Sequence, residues 1–457
     1  MVYVKDIISL CNGKLLCGSK DVLCKNFVKD TRELETGDTY VGMIGEKQDG
    51  SSFYQEAILK GANCVILSEE YYNTHEIERE DIPIVVVKDT LACLTLLTEY
   101  KRNHLDTYFI GVTGSVGKTS TRDMIYSVLS RKYSTLKNEK NYNNQIGVPL
   151  TILKIDKEDV AIVEMGMNQL GEIEALSNLV RPHIGVITNI GTAHIGKLGS
   201  RENICKAKLE IVAGMDQDSF LVLNNDDDLL HDYCDKNRDK RKIITIGIKE
   251  KSDFNAQNIV LREDSTTFTI LVQDREYEVY IPIPGKAFVY NALVSIAVGT
   301  LLHMNMDMIL EGIKNTSITK KRLEIIERDT YTIINDSYNA SEDSMRASLE
   351  VLARRREIRK IAVLGDMLEL GEFSEEIHRT IGDAVAKEKI DLLITVGQDS
   401  KYIAMSAKEN GMDKSHIYSF HDNKEVIYFL KKELKKGDVL LLKASNRLNL
   451  SEIVEKL

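Results

Sequence analysis

The run TGSVGKTS, Thr113 to Ser120, constrains this chain more than any other stretch. It follows a short apolar strand pattern at Tyr108–Val112 and leads into helical spacing over Thr119–Leu129. In that setting glycines let the backbone curl so that several N–H groups face one anion, and the helix dipole adds to the attraction. Lys118 is expected to reach terminal phosphates and the Thr119 hydroxyl to ligate Mg²⁺. Gly114, Ser115, Gly117, Lys118, Thr119 and Ser120 are thus the first candidates for contact with a nucleoside triphosphate. A strict phosphate-loop pattern has a glycine six residues before the lysine, where this chain has Val112, so the loop is a compressed variant. The plain alternative is a Gly-rich turn beside a surface lysine, and the strand–loop–helix context argues against it.

The same alternation extends in both directions. Apolar runs at Cys64–Leu67 and Ile84–Val87 predict strands before the loop. After it, Val160–Val163 and Ile184–Thr188 predict buried strands and Arg201–Gly214 a helix. Buried strands separated by helices indicate an α/β layer fold with a parallel sheet. From residue 331 the rhythm restarts, with strands expected at Tyr331–Ile334, Ile361–Leu364, Leu392–Val396 and Val439–Leu442. That predicts a second doubly wound, Rossmann-like sheet. With 457 residues and roughly 150 per domain, three domains are expected. These are a small α/β unit at 1–105, a central phosphate-loop unit at 106–316, and a C-terminal Rossmann-like unit at 317–457. The linker is expected at 315–321.

Composition narrows the function classes. Sixty Lys and Arg against 70 Asp and Glu give a net charge of −10, which argues against a nucleic-acid partner needing a broad basic face. Most of the excess acid lies in residues 1–100, so an anionic ligand is expected further along the chain. No segment approaches the ~18 uninterrupted apolar residues of a membrane span, so membrane insertion is not expected. The start, MVYVKDIISLCNGKLL, reads as an amphipathic helix. Seven cysteines, an odd number without a Cys-x-x-Cys pair, suit free thiols in a reducing compartment, and the cytoplasm is the expected location.

A phosphate loop alone does not separate a motor, a switch and a ligase, and three further segments bear on the choice. DVAIVEMGM puts Glu164 at the carboxyl end of a buried strand, the edge where ligands sit in such sheets. ITNIGTAHIG puts His194 just beyond another strand, and KAKLEI puts Lys208 on the following helix. Each also has a bland reading, since strand-end carboxylates and loop histidines are common and a helical lysine is usually solvated. A GTP switch would carry an Asn-Lys-x-Asp guanine motif at a strand end, and none is present.

TGSVGKTS together with NYNNQIGVPLTIL, EMGMNQLGEI, TNIGTAHI and the Ala207–Lys208 pair resembles the Mur ligase family over essentially the whole chain. KDTRELETGDTYVGMIGEKQDGSSF, NDSYNASEDSM and LGDMLELGEFSEEIH are similar to signatures of the member that adds a dipeptide. The resemblance implies an ATP-dependent ligase of peptidoglycan precursor synthesis. It would join D-alanyl-D-alanine to UDP-N-acetylmuramoyl-tripeptide through an acyl phosphate, as a monomer. It further implies two Mg²⁺ ions, the first held by Thr119 and Glu164 and the second by His194, with Lys208 carbamylated by CO₂ beside it. Arg322 and Asp336, from the third domain, and Asn291 are then ATP contacts. Without the resemblance, Arg322 reads as one member of a solvated basic run and Asn291 as a helix N-terminal residue. Thr31, Arg32, Gly45, Asp49 and Gly50 match the region that contacts the UDP substrate, and Asn143 and Asn144 match the loop between nucleotide and peptide. Asp30 and Arg32 equally read as a surface ion pair, and adjacent asparagines as a turn. Three positions depart from the family pattern: Ala287 where histidine is usual, Ser341 where proline often stands, and Ala444 where glycine is usual.

Overall fold

Three sheets organise the chain, each built from the apolar runs that the sequence separates by helices. A computed structural model describes every residue except 46, 47, 79, 80 and 318; Ile318 falls inside the expected linker, and residues 46 and 47 fall between Gly45 and Asp49. The first sheet has six strands in the order Val2–Tyr3, Leu23–Val28, Asp38–Val41, Cys64–Ser68, Ile84–Val87, Lys14–Cys17. Its four middle strands run parallel and its two edges antiparallel. The amphipathic start forms a strand at Val2–Tyr3 and then a helix at Val4–Cys11, with Val4 and Ile7 buried.

The second sheet has nine strands, and Tyr108–Thr113 lies among its parallel members between Val160–Glu164 and Ile184–Ile187. Both faces of these strands are covered, which is why their sequences are near-continuous apolar runs. At the far end, Phe254–Leu261, Thr266–Val272 and Arg275–Ile281 form an antiparallel meander. The third sheet has six strands: Glu324–Glu327, Tyr331–Asn335, Asp438–Lys443, Arg359–Gly365, Leu392–Val396 and Ile417–Phe420. All its pairs are parallel except the edge pair Glu324–Glu327 with Tyr331–Asn335. Helices alternate with strands in the second and third sheets, giving a mixed α/β fold rich in parallel pairing.

The sheets are joined through apolar contact. Leu150 and Leu153, on helix Gly147–Lys154, enter the core formed by Cys93, Leu94 and Leu97 of helix Thr90–Arg102. A second buried cluster runs from Ile190, Ile195 and Leu198 beside the middle sheet to Met345, Met367 and Leu370 beside the last. Among the described residues no helix is long and apolar enough to cross a membrane.

Candidate active site

Strand register assembles the site. Val112 pairs with Glu164 on one side and Thr113 with Ile187 on the other. The phosphate loop, Glu164 and the 188–194 loop therefore leave neighbouring parallel strands at one carboxyl edge, where such sheets bind ligands. Gly114 has φ +140°, and a Cβ there would stand 2.0 Å from Thr188 Oγ1, so only glycine fits. Gly117, at φ +85°, turns the chain into helix Lys118–Leu129. Ser115 N–H donates to the Asn189 carbonyl (3.0 Å) and Val116 N–H to Asn189 Oδ1 (2.9 Å). The amides of Lys118, Thr119 and Ser120 open the helix and have no carbonyl within it to meet. Lys118 Nζ folds back onto the loop, donating to the carbonyls of Gly114 (2.8 Å) and Ser115 (3.3 Å).

Glu164 is the hub of the middle unit. Its Oε2 accepts from Thr119 Oγ1 at 2.8 Å and its Oε1 from Asn143 Nδ2 at 2.8 Å. Arg122, only 2% exposed, brings Nη1 to 3.5 Å from Oε2 and is itself paired with Asp123. Asn138 grips the Glu164 backbone from both sides, accepting from its N–H (2.9 Å) and donating to its carbonyl (3.0 Å). Asn144 is instead a turn-maker, its Oδ1 accepting from the amides of Ile146 and Gly147. Asn291 Oδ1 accepts from Thr121 Oγ1 at 2.9 Å, beside the Gly117 turn.

The C-terminal unit closes over this edge. Arg322 Nη2 donates to Thr119 Oγ1 at 2.9 Å, and the guanidinium lies 4.2 Å above the Tyr338 ring. Its neighbours Lys321 and Leu323 have φ of +66° and +51°, a costly conformation for a leucine. Asp336 helps hold that backbone, accepting from the Leu323 N–H at 3.2 Å. The rest of its carboxylate accepts from Ser348 Oγ and Lys443 Nζ, each at 2.5 Å. Asp336 thus braces the Arg322 segment from inside its own unit. His194 and Glu369, both at φ +67°, meet across the cleft with Nδ1 2.5 Å from Oε2.

Lys208 is not a solvated helical lysine. It is 1% exposed. Burial, with Lys118 nearby, pushes its pKa well below the ordinary lysine value. Burial and then Arg322 also lower the pKa of Lys118, opposed by Glu164. Among the described residues seven fully buried side-chain polar atoms lack a hydrogen-bond partner. Thr113 Oγ1, Ser115 Oγ, Thr192 Oγ1 and Arg322 Nε of these open onto this cleft, whereas His194 Nδ1 faces the Glu369 carboxylate, close but out of line for a hydrogen bond. Such a concentration of orphans marks a place where a polar ligand completes the bonding.

The first unit presents a separate patch. Thr31 Oγ1 donates to Glu56 at 2.9 Å, while Arg32, 85% exposed, is paired with Asp30 at 2.6 Å. Asp49 accepts from Ser51 N–H and Ser68 Oγ, and Gly50 N–H bonds the Met43 carbonyl, so Gly45, Asp49 and Gly50 shape one turn. None of these five makes a hydrogen bond or ion pair to a phosphate-loop residue among the described residues. Glu33 links this unit to the middle one through Lys140 and through Tyr142 Oη at 2.6 Å. Of the three departures, Ala287 opens helix Ala287–Leu301, Ser341 forms a capping box with Ser344, and Ala444 packs against Gly365, where a Cβ would lie 2.7 Å away.

Arg122, Asn138, Asn189, Thr192, Tyr338 and Glu369 also line or brace the site, and no local pattern singles them out. Tyr338 and Glu369 sit inside motifs that were recognisable, but their roles come from contacts between units far apart in sequence.

Comparison with known proteins matches this geometry. Residues 112–299 match the Mur ligase middle domain and residues 321–446 the Mur ligase glutamate ligase domain. The chain is 36% identical over 458 residues to the UDP-N-acetylmuramoyl-tripeptide–D-alanyl-D-alanine ligase of Bacillus subtilis strain 168, covering 99% of this chain and 98% of that one. A crystal structure of MurF from Acinetobacter baumannii superposes with a TM-score of 0.87 at 29% identity, covering 100% of this chain and 98% of that one. MurF from Thermotoga maritima in complex with ADP gives 0.80 at 28% identity, covering 96% and 98%. By its two domain matches and its full-length relatives, this chain belongs to the Mur ligase family.

Proposed function

We propose that this chain is the ATP-dependent ligase that joins D-alanyl-D-alanine to UDP-N-acetylmuramoyl-tripeptide in peptidoglycan precursor synthesis. The observation that carries the reading is the meeting at Thr119. The phosphate-loop hydroxyl is shared by Glu164 of the middle unit and Arg322 of the C-terminal unit. A site that draws cations and loop amides from two units suits a reaction that crowds ATP, a carboxylate and an amine together. The full-length relatives named for this activity support the same substrates.

In the first step an oxygen of the tripeptide's terminal carboxylate attacks the γ-phosphorus of ATP, and ADP leaves. In the second the dipeptide amine attacks the acyl carbon, inorganic phosphate leaves, and one proton is released to the medium. Lys118 and the amides of Lys118, Thr119 and Ser120 hold the phosphates, and Arg322 neutralises charge that develops during transfer. Asn291, bonded to Thr121 beside the loop, would contact the adenine, and Asn143, bonded to Glu164, would lie between nucleotide and peptide. Thr31, Arg32, Gly45, Asp49, Gly50 and Asn144 belong to the segments assigned to the UDP substrate. In this reading the units are 1–105, 106–316 and 317–457, and each contains one of the three sheets.

The donor set fits Mg²⁺. Among the described residues no three His, Cys, Asp or Glu side chains converge as a metal cage. Mg²⁺ is commonly held by one or two carboxylates, substrate phosphates and waters, and Thr119 and Glu164 supply that kind of partial set. Mg²⁺ bound there would screen the phosphate charge and orient the γ-phosphoryl group. His194 and Lys208 would hold a second ion. An ammonium at Lys208 would repel it, whereas a buried neutral amine can add CO₂, releasing a proton and leaving a carbamate oxygen donor. Seven free cysteines accord with a cytoplasmic location.

The test supplies ATP, Mg²⁺, UDP-N-acetylmuramoyl-tripeptide and D-alanyl-D-alanine and follows phosphate release with product mass. The dipeptide adduct is the expected product. Phosphate release with free D-alanine or L-lysine but not with the dipeptide would refute the assignment.

A further inference from the structure

We infer that Glu369 is a positioning residue for His194, delivered to the site by the C-terminal unit when the cleft is closed. The inference rests on the proposed function, in which His194 holds a cation beside the attacking carboxylate. A histidine that ligates a metal almost always sets its other ring nitrogen against a carboxylate or carbonyl, which fixes the tautomer and the ring orientation. Here Nδ1 faces Glu369 Oε2 at 2.5 Å, and among the described residues Nε2 has no protein partner.

The approach of the two residues is built into the backbone. Gly196 N–H donates to the Glu369 carbonyl at 3.1 Å. A Cβ on Gly196 would stand 2.6 Å from Gly371 N and 2.7 Å from the Glu369 carbonyl oxygen. Gly371 has φ +56°, and its own Cβ would lie 3.1 Å from Gly196 Cα. Two glycines thus let the turn after strand Arg359–Gly365 lie directly on the turn that carries His194. Both His194 and Glu369 occupy the left-handed region, which non-glycine residues enter only when surrounding contacts hold them there. A carboxylate so placed sits 2.5 Å from the ring only while the two units are docked. Opening the cleft would free the imidazole to rotate and would lower its value as a ligand.

The experiment uses the full chain at fixed pH. Glu369→Gln keeps the backbone docking and side-chain volume but removes the carboxylate charge, and Gly196→Ala disturbs the docking but keeps the carboxylate. Two readouts are taken: the ¹⁵N signals of the His194 imidazole, assigned by their loss in His194→Gln, and the Mg²⁺ dependence of ligation. Both variants should redistribute the imidazole tautomers. Glu369→Gln should raise the half-saturating Mg²⁺ concentration and lower kcat by about 10–100-fold, with KM for D-alanyl-D-alanine unchanged within twofold. An unchanged ¹⁵N signature in Glu369→Gln, or an unchanged Mg²⁺ dependence, would overturn the inference; an unchanged signature in Gly196→Ala would overturn its dependence on closure. A wild-type protein that makes no dipeptide adduct would refute the proposed function instead, and the ¹⁵N comparison would still decide the role of Glu369.

Discussion

Replacing Arg322 with alanine should separate catalysis from stability. In the resting protein the guanidinium makes one charge-assisted hydrogen bond, to Thr119 Oγ1 at 2.9 Å, and stacks 4.2 Å above Tyr338. Those contacts are worth about 1.5–3 kcal/mol and about 0.5–1 kcal/mol. Against them stands the buried Nε without a partner, a cost of about 1–3 kcal/mol. The two sides largely offset, so the substitution should lower unfolding free energy by about 1 kcal/mol at mid-range and by no more than about 3 kcal/mol. Its value appears when charge develops on the transferring phosphoryl group, where a single arginine is worth about 10³–10⁵ in kcat. Arg322→Ala should therefore lose at least about 10³ in kcat with an almost unchanged urea midpoint. Arg322→Lys, which keeps the charge but lacks the planar fork, should fall between. Steady-state phosphate release and urea unfolding on the same samples supply both numbers. A kcat loss below tenfold would refute the reasoning, as would a stability loss above about 3 kcal/mol with activity tracking the folded fraction.

Three further outcomes are expected. Lys208→Ala should lose ligation and recover part of it when a short-chain carboxylic acid is added, and an unimpaired variant would remove the carbamate reading. Gly114→Ala must place a side chain 2.0 Å from Thr188 Oγ1 at φ +140°, a strain of about 1–3 kcal/mol. A fluorescent ATP analogue should then bind more than tenfold weaker, and wild-type affinity would contradict the close approach. Glu33 is held below the ordinary glutamate value by Lys140 and then Tyr142 across the first two units. Because its folded pKa is depressed, its contribution is complete above the unfolded value and fades as pH falls through the folded one. For so exposed a pair the effect is under about 1 kcal/mol. The stability gap between wild type and Glu33→Gln should shrink from pH 7 to pH 3.5, and a constant gap would show that the contact contributes nothing.

What could be read from the sequence was what local pattern determines. Strand Leu392–Val396 has the bounds its apolar run predicts, and Tyr108–Thr113 extends one residue beyond its predicted end. The expected helix at Arg201–Gly214 divides into an α-helix to Leu209 and a 3₁₀ turn, because periodicity does not distinguish the two. The meander from Phe254 to Ile281 was not anticipated; burial along its first two strands does not alternate, and the first carries a register shift between Gln257 and Val260. The phosphate loop announced itself because glycine, lysine and threonine at that spacing have a local purpose. Lys208 did not, because its burial arises from the packing of segments distant in sequence. Asp336 lay at a recognisable strand end, but its partners Lys443 and Ser348 come from other elements and leave it bracing Arg322. Glu369 reaches His194 only across two units, a contact that no window of sequence contains.

In the proposed reaction the tripeptide carboxylate takes up phosphate before the amine attacks. That order is tested by labelling both oxygens of the carboxylate with ¹⁸O and running the reaction with ATP, Mg²⁺ and D-alanyl-D-alanine. If an acyl phosphate forms at Thr119, Glu164 and Arg322, each product amide keeps one labelled oxygen and each inorganic phosphate carries the other. Mass spectrometry should find one ¹⁸O per phosphate released. Product formed with unlabelled phosphate would contradict the account.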